Sequence, residues 1–439
     1  MPIENKNRTV CTGCALLCDD ISIDVQFGTI QAVHNACLRG TKKFQFASKK
    51  DRIKNPAIKD LATGSSSDAT WEAAIDKAVD LITHAKHFVI AGVSRMNDDA
   101  QELALNLAAK LKATLAIQDH ATFTRVFEAI QNHGIELFTL GETINNADLV
   151  LFWGANPIDL SPKMLVKTAF SRGRYRQSGK EVKKVAVIDD YPTPTMERAD
   201  IKAISGDTSH GAVLATLARA LVDRKILEPS WIETSGIPKK LFEEPALSDE
   251  LLSQLKDMAV AIDNAEYCCI FLGEAVLNQQ SLGDERWLLD GMLSLVRAIN
   301  AKRKMAVLPL FYTWNFAGLL QALATTADKV EVIDMRDMPS RAGNGTVVLS
   351  LGSDFISKAS DDEYRRLSEL PVVCVDFKRT PTTGIASVIL PPAMTGIESG
   401  GTATRLDGVT LNLSPPIGMK ANMKSDQEIL QLILEKIGM

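Results

Sequence analysis

WEAAIDKAVDLITHAKHFVIAGV, residues 71–93, holds the pattern that decides the fold. Its first half places apolar residues at 71, 74, 75, 78 and 82, the i, i+3, i+4, i+7 spacing of an amphipathic helix. Its second half, HFVIAGV, is a short unbroken apolar run, which reads as a strand buried on both faces. The alternation then repeats. DAQELALNLAAKLKA (99–113) reads as helix, ADLVLFWGANP (147–157) as strand and turn, and KKVAVIDDY (183–191) as strand. HGAVLATLARALVDRK (210–225) is helix, EYCCIFLGE (266–274) strand, and ERWLLDGMLSLVRAINAKRK (285–304) helix before MAVLPLF (305–311). KVEVIDM, TVVLSLGSD, PVVCVDF and ASVILPP supply later strands. Apolar strands separated by helices predict an α/β protein with mostly parallel sheets covered on both faces.

Working outward, residues 1–52 differ from this pattern. They contain a short hairpin, DDISIDVQFGTIQAV, around Gly28, then a basic stretch from Lys42 to Lys54. The tail from 395 to 420 is Gly-rich and irregular. SDQEILQLILEKIGM closes the chain as a helix with a Ser425/Glu428 capping box. The expected division is an N-terminal cysteine-bearing segment at 1–55, α/β domains from 56–205 and 320–439, and an inserted or second α/β domain at 206–319.

Composition narrows the function. With 439 residues, 46% of them hydrophobic, the chain can bury a large core. The net charge of −5 gives no basic excess for phosphate contacts, so nucleic acid is not an expected partner. The longest apolar runs are strand-length, far short of the roughly 18 residues of a membrane span. MPIENKNRTVC has no secretory h-region, and the expected location is cytoplasmic. The sequence contains no H-x-H, H-E-x-x-H, phosphate-loop or G-x-S-x-G motif.

Cys11, Cys14, Cys18 and Cys37 are the sharpest chemical signal. Four thiolates at such spacing suit a [4Fe–4S] cluster or tetrahedral Zn²⁺, and the residues alone leave open an empty, vestigial site. Cys268, Cys269 and Cys374 lie in apolar runs and read as core residues. GIESGGT (396–402) reads as turn chemistry ahead of an anion cradle. Asp189 and Asp190 end a strand, where ligand sites of α/β proteins gather, yet neighbouring strand residues face opposite ways.

VCTGCALLCDD (10–20) followed by HNACLRGTKKF (34–44) resembles the N-terminus of the tungsten- or molybdenum-binding B subunit of formylmethanofuran dehydrogenase. WEAAIDKAVDLI, FTLGETINNADLVLFWGANPIDLSPK (138–163) and VDFKRTPTTGIASVILPPAMTGIESGGTATRLDGV (375–409) resemble later blocks of the same family. The resemblance implies the molybdopterin-oxidoreductase fold, with domains like those I–III of formate dehydrogenase and DMSO reductase. It also implies no C-terminal β-barrel and a bound tungsten or molybdenum pterin. It further places Lys378, Arg379, Thr380 and Arg405 in a motif that faces the pterin.

The sequence departs from the family where the metal would be held. The family's ligating cysteine, followed by histidine, falls near Thr122 and Phe123, and there is no cysteine between residues 38 and 267. The family's arginine and histidine for formate or CO₂ fall on Phe311 and Thr313, and Pro192 stands where a phosphate-facing arginine is expected. A hydroxyl is a poor ligand for a soft metal, and an aromatic supplies no carboxylate donor. His120 is close in sequence but stands alone. The W/Mo pterin is therefore expected to be absent.

Such losses match the likeness to the B subunit of the formyltransferase/hydrolase complex of methylotrophic bacteria, a degenerate formylmethanofuran dehydrogenase. That complex converts formyl-tetrahydromethanopterin to formate through a methanofuran-type carrier in one-carbon (formaldehyde) oxidation. The resemblance implies a non-catalytic structural subunit. Its partners would be an amidohydrolase-like subunit, a formyltransferase subunit and accessory subunits. The alternatives are the B subunit of an active W/Mo dehydrogenase and an Fe–S electron-transfer subunit.

Overall fold

The computed structural model describes residues 4–59, 65–243, 247–278, 286–326 and 329–438. The helix that opens the decisive stretch runs Trp71–Thr83. Thr70 caps it by accepting from the Ala73 N–H, and Ala74, Ile75, Ala78 and Ile82 form its buried stripe. The strand that follows, His87–Gly92, is buried at every position after the first. Lys184–Asp189 and Lys304–Pro309 repeat this pattern, each with an exposed lysine first. Leu149–Trp153, Tyr267–Leu272 and Thr346–Leu351 are buried throughout.

Two units result. One comprises Met1–Ala121 and Thr313–Met439, the other Thr122–Tyr312. In the first, an eight-stranded sheet has the order Glu331–Asp334, Thr114–Ile117, His87–Gly92, Thr346–Leu351, Val372–Val375, Val388–Ile389, Ala57–Lys59, Ser66–Asp68. All pairs are parallel until the last two strands, which run antiparallel at the edge. Strand order reverses between His87–Gly92 and Thr346–Leu351, so their carboxyl ends open the kind of crevice in which α/β sheets hold ligands. A three-stranded antiparallel sheet, Glu4–Thr9, Ile21–Gln26 and Thr29–His34, and a small hairpin, Thr402–Thr404 with Thr410–Asn412, complete the unit. The second unit has a five-stranded parallel sheet, ordered Ile201–Ile204, Lys184–Asp189, Leu149–Trp153, Tyr267–Leu272, Lys304–Pro309.

This topology corrects the expected boundaries. A break at 205/206 would split one continuous sheet, because strands on both sides of it belong to the same ladder. The unit instead begins at Thr122 and ends at Tyr312. Sequence periodicity marks elements but not which strands pair, and pairing sets the boundary. Among the described residues seven strands escaped the reading, including Ala57–Lys59, Ser66–Asp68, Ile201–Ile204 and the hairpin Thr402–Thr404 with Thr410–Asn412. Glu4–Thr9 is polar and exposed over most of its length, and Thr114–Ile117 is only four residues long. ASVILPP contributes just Val388–Ile389 before the prolines end the ladder. The capping box of the terminal helix Asp426–Ile437 is present as expected. Among the described residues no helix is long and apolar enough to cross a membrane.

Candidate functional site

The cysteine loop is closed on itself and moulded by distant chain. The Cys11 N–H donates to the Cys18 carbonyl at 2.8 Å, and the Leu17 N–H to the Cys14 carbonyl at 3.1 Å. Leu17 adopts a left-handed φ of 38° to make this turn. Val10 and Leu17 bury against Trp314, Ala403 and Leu413. The Thr12 hydroxyl donates to the Thr395 carbonyl at 3.0 Å, and the Leu406 N–H to the Ala15 carbonyl at 3.1 Å. Gly396, at φ 80°, must be glycine, since a Cβ there would sit 2.7 Å from Thr12 Cγ2.

Cys11, Cys14 and Cys18 are buried in this loop, and Cys37 reaches them from the N-cap of the helix Leu38–Phe46, its sulfur accepting from the Gly40 N–H at 3.4 Å. Gly40 faces the sulfurs: a Cβ there would lie 3.0 Å from Cys11 Sγ and 3.9 Å from Cys37 Sγ. Burial pushes the Cys11 thiol up to about 12, and the nearby Cys14 and Cys37 push the same way against the Gly13 N–H and Lys43. A thiolate set of this kind needs cationic charge to be deprotonated, which a metal centre supplies. Among the described residues no three His, Cys, Asp or Glu converge on one metal-ion position. A single Zn²⁺ with bonds of about 2.3 Å requires that convergence. A polynuclear iron–sulfur cluster takes its thiolates on separate irons and holds them farther apart than a lone ion does.

Beside the loop lies a cationic, aromatic group that sequence reading recorded only as a basic stretch. Lys43 Nζ sits 5.5 Å from the Phe377 ring centroid and 5.9 Å from that of Trp314. Burial, then the charge of Lys378, draws its ammonium down to about 8. In the same basic stretch, Arg52 makes a two-point ion pair with Glu398, at 2.7 and 2.6 Å. GIESGGT is thus turn chemistry whose Glu398 anchors the basic stretch. Thr380 is an N-cap accepting from the Thr383 N–H, and Arg405 is held by Asp407 at 2.7 and 2.8 Å. Asn315 is the residue most clearly missed. It is fully buried with φ 58°, donates to the Met96 carbonyl and Asp98, and accepts from the Thr404 N–H at 2.7 Å. An asparagine next to Trp314, within an apolar stretch, was its only sequence signal.

The positions expected to be degenerate are occupied by packing. Thr122 is half-buried on the helix His120–Asn132. Within the second unit Phe123 and Phe311 meet edge to face, centroids 5.4 Å apart at 82°, and both are buried. The segment offers a neutral hydroxyl and two rings, which do not fit a soft, high-valent metal ligand. Thr313 is half-buried in the first unit. His120 is half-buried and its imidazole is drawn down by burial, with Asp334 opposing.

At the carboxyl end of the second unit's sheet, Trp153 Nε1 donates to His210 Nδ1 at 3.2 Å. That places the imidazole proton on Nε2, 3.0 Å from Asp190 Oδ1 but out of hydrogen-bond alignment. Ser205 Oγ donates to the same oxygen at 2.8 Å. Asp189 is buried, and desolvation raises its carboxyl. The two aspartates therefore do different work and form no acid/base pair. Cys268, Cys269 and Cys374 lie in the core, as expected.

Comparison with known proteins places this geometry. The chain is 28% identical over 447 residues to the B subunit of tungsten-containing formylmethanofuran dehydrogenase 2 of Methanococcus maripaludis, covering 98% of each chain. It is likewise 28% identical over 445 residues to the protein of the same name from Methanocaldococcus jannaschii, again at 98% of each. Among solved structures it matches a chain of the formyltransferase/hydrolase complex from Methylorubrum extorquens, solved with methylofuran. The TM-score is 0.61 at 17% identity, covering 87% of this chain and 98% of that one. It also matches acetylene hydratase from Pelobacter acetylenicus, with TM-score 0.69 at 12% identity, over 99% of this chain and 69% of that one. The molybdopterin oxidoreductase family model matches residues 52–436, and the chain belongs to that family.

Proposed function

We propose that the chain is a non-catalytic structural subunit of a formyltransferase/hydrolase complex. In such a complex formyl passes from formyl-tetrahydromethanopterin to a methanofuran-type carrier and is released as formate. The chemistry would run on an amidohydrolase-like and a formyltransferase subunit, with this chain as their scaffold. The observation that carries the reading is the Phe123–Phe311 pair beside Thr122. By the sequence resemblance, two aromatic rings and a hydroxyl fall where a redox relative would carry a thiolate and carboxylate-binding cations. The four N-terminal cysteines would hold a [4Fe–4S] cluster that ties the loop together. Such a cluster supplies cationic charge and, given a redox partner, an electron.

The test is elemental mass spectrometry of the purified complex for W, Mo, Fe and Zn. The expected result is no W or Mo and about four Fe for this chain once other subunits are subtracted. Stoichiometric W or Mo would reassign the chain as a redox subunit. Reversible reduction of the cluster coupled to turnover would instead favour an electron-transfer role.

A further inference from the structure

In the second unit, residues 168–183 join the short helix Met164–Lys167 to the start of the strand Lys184–Asp189. This loop packs on residues 144–148 and on Glu266, which precede the strands Leu149–Trp153 and Tyr267–Leu272. It therefore lies at the amino end of the five-stranded sheet, opposite the carboxyl ends where parallel sheets hold ligands.

The loop is fixed in place by buried polar contacts. Lys183, fully buried, donates to the carbonyls of Ile144, Thr168 and Ser171. Arg176 donates to the Asn146 carbonyl at 3.0 Å and pairs with Glu266 at 2.6 Å. The Arg174 N–H donates to Asn145 Oδ1 at 2.8 Å, and the Gly173 N–H closes a turn onto the Arg176 carbonyl at 2.8 Å. A Cβ at Gly173 would run into the Ile144 carbonyl, so the turn has no room for a side chain. What this frame presents points away from the chain. Tyr175 is 69% exposed, and Val166 and Val182, at the two ends of the loop, are 54% and 44% exposed. Arg172 and Arg174 are exposed, and their side chains make no hydrogen bond or ion pair among the described residues. Arg174 lies against the Tyr175 ring, 5.8 Å from its centroid. Arginine and tyrosine are the side chains that anchor protein interfaces, and a loop already fixed loses little freedom on binding.

Charge selects the partner. Residues 166–184 carry seven lysines and arginines and one acid, Glu181, in a chain of net charge −5. The acids packed around the loop are engaged, Glu266 and Asp148 by Arg176 and Asp200 by Lys180. The two arginines left over suit carboxylates. The tyrosine and the two valines suit an apolar centre, which a protein face supplies and a phosphate backbone does not.

We propose that the 168–183 loop is the docking surface for another protein subunit, through a face of that subunit that sets carboxylates around an apolar centre. The proposal rests on the scaffold reading and assigns the place where the scaffold holds a partner.

The test is mass photometry of the purified complex on serial dilution, for wild type, for Tyr175→Ala and for the double variant Arg172→Glu, Arg174→Glu. These side chains are exposed, so both variants should keep the wild-type melting midpoint. Each should raise the dissociation constant for one subunit about tenfold or more. Arg365→Glu, at an exposed arginine of the first unit, should leave it unchanged. Arg174→Lys should keep the affinity and, with a zero-length carbodiimide, cross-link to an aspartate or glutamate of another subunit. Dissociation of every variant at the wild-type concentration, or cross-links from position 174 confined to this chain, overturns the docking surface and leaves the scaffold reading standing. A wild-type chain that purifies with no other subunit overturns both. Nucleic acid that co-purifies with wild type and is lost from the double variant, with every subunit retained, overturns the proposal in favour of a nucleic-acid surface.

Discussion

Replacing Arg52 by methionine should be among the most damaging single changes in the first unit. The guanidinium holds both carboxylate oxygens of Glu398, and the side chains are 2% and 5% exposed. Its Nη1 also donates to the Ala47 carbonyl at 3.2 Å. Glu398 accepts in addition from the Met394 N–H at 2.9 Å. The methionine would fill much of the volume and leave the carboxylate buried with one donor. Breaking a buried pair from one side costs about 3–5 kcal/mol. For a unit of roughly 250 residues that is a fall in midpoint of about 6–20 °C. The double change Arg52→Met, Glu398→Leu should recover most of the loss, because no charge is left buried. Urea and thermal unfolding of wild type and both variants would measure this. A cost under about 1 kcal/mol for Arg52→Met, or a double variant no better than the single, would refute the reasoning.

Four other outcomes follow from buried polar groups, from the Thr122 segment and from the cysteine loop. Burial raises the Asp426 carboxyl to about 7 despite the 2.8 Å hydrogen bond from Thr395, so the native state retains a proton that the unfolded state releases near 4. Wild-type stability should decline between pH 4 and 7, on the order of 4 kcal/mol in total, and level off above; Asp426→Asn should flatten that slope in pH-resolved urea titrations. The Lys183 ammonium is enclosed by the carbonyls of Ile144 at 2.6 Å, Ser171 at 2.8 Å and Thr168 at 3.3 Å, so Lys183→Met should cost about 2–4 kcal/mol in the second unit, read by hydrogen exchange. On the proposed scaffold function, Thr122→Val should leave formate production by the complex unchanged, whereas Cys14→Ala should reduce assembly, seen by size-exclusion chromatography, more than the turnover of whatever complex still forms.

The grouping of the N-terminal cysteines was legible because local spacing carried it. Cys11, Cys14 and Cys18 share one tight loop, and the shortage of cysteine beyond Cys37 could be read directly. Thr122, Phe123 and Phe311 were singled out by likeness, yet nothing in the sequence said that the two phenylalanines touch. They lie far apart in the chain and meet only through the packing of the second unit.

The alternation of 3.6-residue periodicity with unbroken apolar runs was enough to determine an α/β chain with parallel sheets, since each pattern is a local response to burial on one face or on two. Capping at Ser425 was equally local. Only tertiary structure decided the rest. Strand order moved the unit boundary to Thr122, because a ladder hydrogen-bonds chain that sequence order keeps apart. Arg52 and Glu398, 346 positions apart, became one buried pair, and Arg176 came to pair with Glu266. Long-range pairing of charges depends on where the backbone brings them, and that is a property of the folded chain, not of any window of its sequence.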